Sequence, residues 1–377
     1  MSRTTIKCLM EGAGGRPRGF DSLRSILAIA VVLWHTSSIC YGLDGEAWLW
    51  TGPLRPLGYF IVPAFFALSG FLVAGSLLRN DLTTFVTLRL VRIYPALAVE
   101  VFISAFIIGI GVTNLGIGDY FTGRRLYSYL LNVIGFVHYS LPGVFTENPV
   151  AGVVNAQLWT IPYELYCYGV LTIVALIGLC RRPVGFMMAV VILNIFILIY
   201  ATYGDDTLAF AVRPPGGLAI LCFLYGVGFY LVRDKIPMNW ALFIGSLIAY
   251  TGFVFFAETV YASAVFATYM TIFLGLKKKK IPLISGMAKY SYGVYLYGYP
   301  LQQMVYQSLP AGKAWWSNFL ISFPLSLAGA ALSWHLVERR FDEKKKSIVA
   351  AANRLRDDLR ARWVGPIPGR GVDTPRN

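Results

Sequence analysis

Long apolar runs alternate with short polar breaks from residue 23 to residue 337. A helix needs ~20 apolar residues to cross a bilayer. Runs of that kind lie near 23–42, 57–78, 93–113, 157–180, 184–203, 214–232, 240–257, 260–276, 290–308 and 316–337. Only Glu258 and Thr259 separate the seventh from the eighth. Residues 126–138 are too short and broken to span, and read as an interfacial or re-entrant piece of the 114–156 connection. The pattern predicts an all-α integral membrane protein, a bundle of about ten transmembrane helices over residues 23–340. A polar N-terminal segment (1–22) precedes it and a basic tail (341–377) follows. In that tail Ile348, Ala352, Leu355, Leu359 and Trp363 fall on one helical face among Lys and Arg, which predicts a basic amphipathic helix on the inner leaflet. Residues 364–377, with Pro, Gly and Arg, read as disordered. No internal repeat of the transporter kind stands out.

Composition narrows the class. The chain has 377 residues, of which 56% are hydrophobic and 14% charged, so no separate soluble catalytic domain is expected. The net charge of +14 finds its explanation in topology and anionic lipid, and no nucleic-acid partner is expected. With the N-terminus in the cytoplasm, 27 Lys and Arg fall in cytoplasmic segments and 5 in outer loops, with Arg24 at the boundary. That bias predicts an even number of spans with both termini cytoplasmic. Five cysteines, Cys8, Cys40, Cys167, Cys180 and Cys222, are scattered and odd in number. They suggest neither disulfides nor a metal site, and no metal is expected. Residues 1–22 lack an apolar stretch and a cleavage site, so no cleavable signal is expected and the first helix serves as anchor.

Polar groups inside such spans are costly and by default mark a site. Arg24 and His35 lie eleven residues apart on the first span. At ~100° per residue both point the same way, ~16 Å apart along the axis. A cation then sits at the mouth, and an imidazole that titrates near neutral pH sits near mid-bilayer. The plain alternatives are an arginine snorkelling to lipid phosphate and a histidine in a helix–helix hydrogen bond. Arg89 and Arg92 are neighbours on one helix face before Ile93-Tyr94-Pro95. Two guanidinium forks at that spacing suit phosphate, with simple anchoring as the alternative. Glu164 follows Trp159 and Tyr163 at the start of the fourth span. It must be protonated or partnered there, and an interhelical salt bridge would explain it too. Ser69-Gly70 favours close helix approach over a serine nucleophile. A local hydrogen bond between His335 and Glu338 accounts for that pair, and His138 carries no signal by itself. No Gly-rich phosphate loop, zinc spacing or nucleophile elbow is present.

Taken in order, these stretches resemble the bacterial membrane-bound acyltransferase family 3 over about residues 18 to 342. They are Phe20-Asp21-Ser22-Leu23-Arg24 with His35, Phe65-Phe66-Ala67-Leu68-Ser69-Gly70-Phe71, and Arg89-Leu-Val-Arg92-Ile-Tyr-Pro95. Leu158-Trp159 with Glu164 and Tyr166, Ser291-Tyr292-Gly293-Val294-Tyr295-Leu296, and Glu338-Arg339 complete the set. The chain departs from the family where Trp159-Thr160-Ile161 replaces a frequent Trp-Ser-Leu, where one acid (Glu164) replaces two, and where Tyr297-Gly298-Tyr299 replaces a stretch that often holds His. These departures concern the acceptor side. Some relatives carry an extra soluble esterase-like domain, which is not expected in this chain.

The resemblance implies transfer of an acyl group, usually acetyl, from cytoplasmic acyl-coenzyme A to a glycan hydroxyl at a bacterial inner membrane. Acetyl-CoA, or another short acyl-CoA, is then a co-substrate, and no permanently bound cofactor is expected. Arg24 and His35 form the family's arginine-ten-residues-histidine motif, and Arg89 and Arg92 its paired arginines. On this reading Arg89, Arg92 and Arg24 clamp the donor phosphates. His35 acts as general base, Glu164 orients it or binds acceptor hydroxyls, and Trp159, Tyr163 and Tyr166 stack on a sugar. Direct transfer and an acyl-enzyme intermediate stay open. So do acetyl against succinyl, and exopolysaccharide, O-antigen or lipo-oligosaccharide as acceptor, free or lipid-linked. The rival class is a proton-coupled transporter of a small solute or lipid-linked glycan, in which His35, Glu164 and Arg24 relay protons. A non-enzymatic scaffold explains none of the buried polar residues.

Overall fold

The computed structural model describes residues 4–14, 17, 19–203, 214–277 and 281–364. Among these no strand occurs, only helices, turns and one isolated bridge between Thr5 and Pro237. A short helix, α1 (Ile6–Gly12), leads in, and a helix then lies on each of the ten apolar segments. They are α2 (Gly19–Thr51), α3 (Arg55–Leu77), α4 (Leu82–Val112, with a π-turn at Ser104–Ile108), α5 (Thr160–Leu176) and α6 (Pro183–Tyr203). α7 (Gly216–Leu231), α8 (Trp240–Phe255), α9 (Ser263–Lys277), α10 (Ser291–Ser308) and α11 (Trp315–Ser333) follow. Among the described residues, six helical stretches are long and apolar enough to cross a membrane: α2, α3, α4, α6, Glu258–Lys277 and Trp315–Arg362. α7 and α8 are apolar but shorter, α5 has 17 residues, and α10 carries Gln302 and Gln303 buried inside the bundle.

Small residues set the closest packing. A Cβ on Gly70 of α3 would collide with the Phe223 carbonyl of α7, and one on Gly226 with the Ala67 carbonyl. The two backbones therefore touch, with no side chain between them. α10 packs against both α2 and α11, which also touch each other. The long 114–156 connection forms short helices (Ile117–Thr122, Arg124–Leu130) and then a loop, with no helix long enough to span. Asn148 pins that loop by donating to the Gln303 carbonyl (3.0 Å) and Oε1 (2.8 Å), and Gln303 Nε2 donates to Val150 O and Val153 O.

α2 is not one straight rod. Gly42 takes φ 68°, ψ −155°, a left-handed setting that favours glycine and breaks the helix. The chain after Gly42 returns along its own helix, where Ser37 Oγ donates to Gly45 O (3.0 Å) and Trp34 meets Trp50 at 5.0 Å.

α11 runs through a π-turn at Trp334–Glu338 into α12 (Arg339–Val364). No Gly or Pro interrupts residues 334–364, so nothing ends the helix at the bundle's edge. α12 packs on the first turns of α4, where Asn353 donates to Thr84 Oγ1 (3.2 Å) and Arg356 pairs with Asp81 (3.1 Å). Ile348 and Ala352 are half-buried, whereas Leu355 and Leu359 are exposed. The amphipathic helix expected from the sequence is thus partly spent on α4; the Trp363 side chain and residues 365–377 lie outside the described residues.

Candidate active site

Three cavities stand in a row, each sharing walls with the next. The outermost, of about 280 Å³, is lined by Asp21, Arg24, Arg92, Lys289 and Trp334. Arg24 and Arg92 also line a second cavity of about 160 Å³, with Arg89, Ser69, Glu164 and Tyr168. Val62 and Tyr295 line that cavity and also a third of about 60 Å³, which holds His35, Glu46, Trp50, Trp159 and Tyr299.

The middle cavity brings together four of the residues singled out from the sequence. Arg24 reaches it from the first turns of α2, Arg89 and Arg92 from α4, and Glu164 from α5. Arg92 lies over the Tyr292 ring (5.4 Å), and Arg89 over Phe85 (5.9 Å). Both guanidinium groups are thereby oriented by aromatic faces. Arg89 Nε is buried with no hydrogen-bond acceptor, which leaves the group a donor to spare. Tyr168 Oη donates to Glu164 Oε1 (2.6 Å) from one turn along α5. Glu164 thus shares a chamber with the arginines, and not the one that holds His35.

His35 stands in the inner cavity on α2, edge-on to Tyr299 at 5.3 Å. Among the described residues, the carboxylate that lines this chamber is Glu46, brought back by the break at Gly42. Trp50 Nε1 donates to Glu46 Oε1 (3.2 Å), which holds the carboxylate against the aromatic wall. Sequence reading missed Glu46, because eleven positions after His35 it reads as an outer loop. The missed signal is the Gly42–Gly45 pair, the mark of a reversal.

Of the aromatic residues expected to face a sugar, Trp159 lines the His35 cavity. Tyr163 lies behind it, T-shaped at 5.8 Å and pressed on Gly216. Tyr166 faces outward, 60% exposed, and lines none of the three cavities. Positions 163 and 166 lie about one helical turn apart, but only the first turns inward. The expected His335–Glu338 bond is not made. His335 Nε2 bonds Tyr290 Oη (3.1 Å), and Glu338 accepts from Ser333 Oγ (3.0 Å).

A further polar network was not foreseen. Glu100 of α4, fully buried, accepts from Ser104 Oγ (2.7 Å) and Asn155 Nδ2 (2.9 Å). Asn155 also donates to Leu296 O and accepts from Gln157 N (3.1 Å). Gln157 O in turn accepts from Tyr295 Oη (2.9 Å). The chain of bonds runs from a buried carboxyl to the wall between the middle and inner cavities. Among the described residues, no cluster of His, Cys, Asp or Glu is disposed to hold a metal ion.

A family model described as an acyltransferase domain matches residues 18–335. The chain is similar to the O-acetyl transferase of Shigella phage Sf6, at 27% identity over 331 residues covering 85% of this chain and 95% of that one. It is also similar to nodulation protein 10 of Rhizobium leguminosarum bv. viciae, at 26% identity over 382 residues covering 90% and 97%. No solved structure matches.

Proposed function

The chain belongs to the acyltransferase 3 family, and on that premise we propose that it is an inner-membrane O-acyltransferase moving an acyl group, acetyl first of all, from acyl-CoA to a glycan hydroxyl. The observation that carries this reading is the row of three cavities, which leads from arginines to an imidazole. Both termini are cytoplasmic in this proposal, so the arginine end opens to the cytoplasm, in line with the 27-to-5 bias of Lys and Arg.

Coenzyme A is polyanionic and does not cross membranes. Its phosphates meet Arg24, Arg92, Lys289 and Arg89, whose guanidinium forks suit them. The thin pantetheine arm fills the middle cavity and presents the thioester at the Val62–Tyr295 wall. From the other side the acceptor hydroxyl enters the cavity of His35 and Trp159. His35 accepts the hydroxyl proton as the oxygen attacks the thioester carbonyl. The C–S bond breaks, a C–O ester bond forms, and the proton passes from His35 to the departing thiolate as free coenzyme A. Direct transfer of this kind needs no acyl-enzyme. Glu46 faces His35 across the same chamber and orients the imidazole, the role the sequence had offered to Glu164. Glu164 instead balances charge among the arginines.

Inverted vesicles with labelled acetyl-CoA test the reading. His35→Ala should cut label transfer to glycan by ~10²–10⁴-fold while acetyl-CoA binding persists; retained turnover would remove His35 from the chemistry. Label that stays on coenzyme A in the wild type, with solute or glycan moved instead, would favour a transporter.

A further inference from the structure

We propose that Val62 and Tyr295 form an acyl-size filter, a wall that admits a short acyl group to the hydroxyl and excludes longer ones. The inference rests on the acyltransferase reading above. Val62 of α3 and Tyr295 of α10 are the two residues common to the arginine cavity and the His35 cavity. A direct path from one cavity to the other is therefore bordered by these two side chains.

The wall is stiff on both sides. Tyr295 Oη donates to Gln157 O (2.9 Å) and lies 2.7 Å from Thr160 Oγ1, while its ring meets Phe65 edge-on at 6.2 Å. To swing aside, the ring must give up both hydrogen bonds in a dry interior. Its anchor Gln157 is fully buried and is tied through Asn155 to Glu100, both fully buried too. Val62 is β-branched, with one strongly preferred rotamer on a helix. It immediately precedes Pro63 inside α3, where a backbone hydrogen bond is missing and local geometry is set by the ring.

The geometry of a thioester then decides what fits. In the arm's extended approach, sulfur trails toward the arginines and the acyl substituent leads toward the wall. A methyl group leaves the carbonyl carbon within reach of the hydroxyl. Each added methylene meets Val62 or the Tyr295 ring before the carbonyl arrives. One methylene in a shaped apolar site is worth roughly 10- to 200-fold in discrimination.

The test uses the full chain in inverted vesicles, supplied with an equimolar mixture of acetyl-, propionyl- and butanoyl-CoA. Acyl groups are released from the envelope glycan by mild base and measured by mass spectrometry. Wild type should incorporate acetate almost alone. Val62→Ala should raise the propionate and butanoate share by at least ~10-fold relative to acetate. Val62→Ile, which narrows the gap and keeps a β-branched side chain, should lower propionate further while acetate is still transferred. Tyr295→Phe keeps the ring but frees it from Gln157 and Thr160, and should broaden the profile as Val62→Ala does. An acyl profile identical to wild type in all three variants overturns the filter while leaving the transferase reading intact. No acyl incorporation by wild type from any of the three donors overturns both. If Val62→Ala does not accumulate in the membrane, Val62→Ile and Tyr295→Phe still decide the matter.

Discussion

At the scale of single residues, two carboxylates stand where one was expected, one in each of two neighbouring cavities. Glu46 stands with His35, and Glu164 with Arg24, Arg89 and Arg92. Glu46→Gln should therefore lower kcat by ~10²-fold, the usual effect of a displaced catalytic group, with little change in the donor KM. Glu164→Gln should move the donor KM more than kcat. Steady-state kinetics with acetyl-CoA as varied substrate reads both, and equal kcat losses in the two variants would dissolve the division. Arg24, His35, Arg89, Arg92 and Glu164, which the structure places on cavity walls, stood out in the sequence because polar groups in an apolar span are costly. Glu46 did not, since its cost disappears if it lies in an outer loop, and only the fold shows that it does not. Spacing also placed Arg24 and His35 on one stripe as a single site. The stripe exists, but a wall from α3 and α10 divides it, and no pattern within one helix records what its neighbours insert.

Helices themselves were the most legible feature, because each apolar run is long and bounded by polar residues. Their interruptions were less so. Gly42 breaks α2 at the end of the first apolar run, where a reversal back onto the same helix reads as an ordinary loop, and the π-turn at Ser104–Ile108 has no mark in composition. Gly70→Val should destabilise the protein by ~3 kcal/mol or more, since the obstacle is the Phe223 carbonyl and not a side chain that can turn. Thermal unfolding in detergent checks this. The α12–α4 contact makes a pH-linked prediction. The Thr84 hydroxyl and backbone N–H, helped by Arg356, hold Asp81 below the usual carboxylate range. A carboxyl lowered in the folded state contributes stability above its unfolded pKa of ~4 and loses it as pH falls through the lower folded value. The latch is therefore closed at neutral pH and opens only in acid. Both partners are about half exposed, so Arg356→Ala should cost under ~1 kcal/mol overall. Amide hydrogen exchange over the first turns of α4 should nevertheless quicken, and unchanged exchange there would show that the latch holds nothing.

For the whole molecule, the arrangement of cavities matters more than the number of spans. Arg89→Ala with Arg92→Ala should raise the acetyl-CoA concentration needed for half-maximal transfer by ~10-fold or more, given ~1.5–3 kcal/mol for each lost charged hydrogen bond. An unchanged donor requirement would return the pair to anchoring. The wall at Val62 and Tyr295 has one more consequence for the proposed reaction. Coenzyme A never leaves its side of that wall and the acceptor never leaves the other, yet the acyl group changes sides. In exchange, the proton that starts on the acceptor oxygen ends on the coenzyme A thiol. Each turnover then sends one acyl group outward and one proton inward. On that proposal the enzyme works, in transport terms, as an antiporter driven by the cleavage of a thioester.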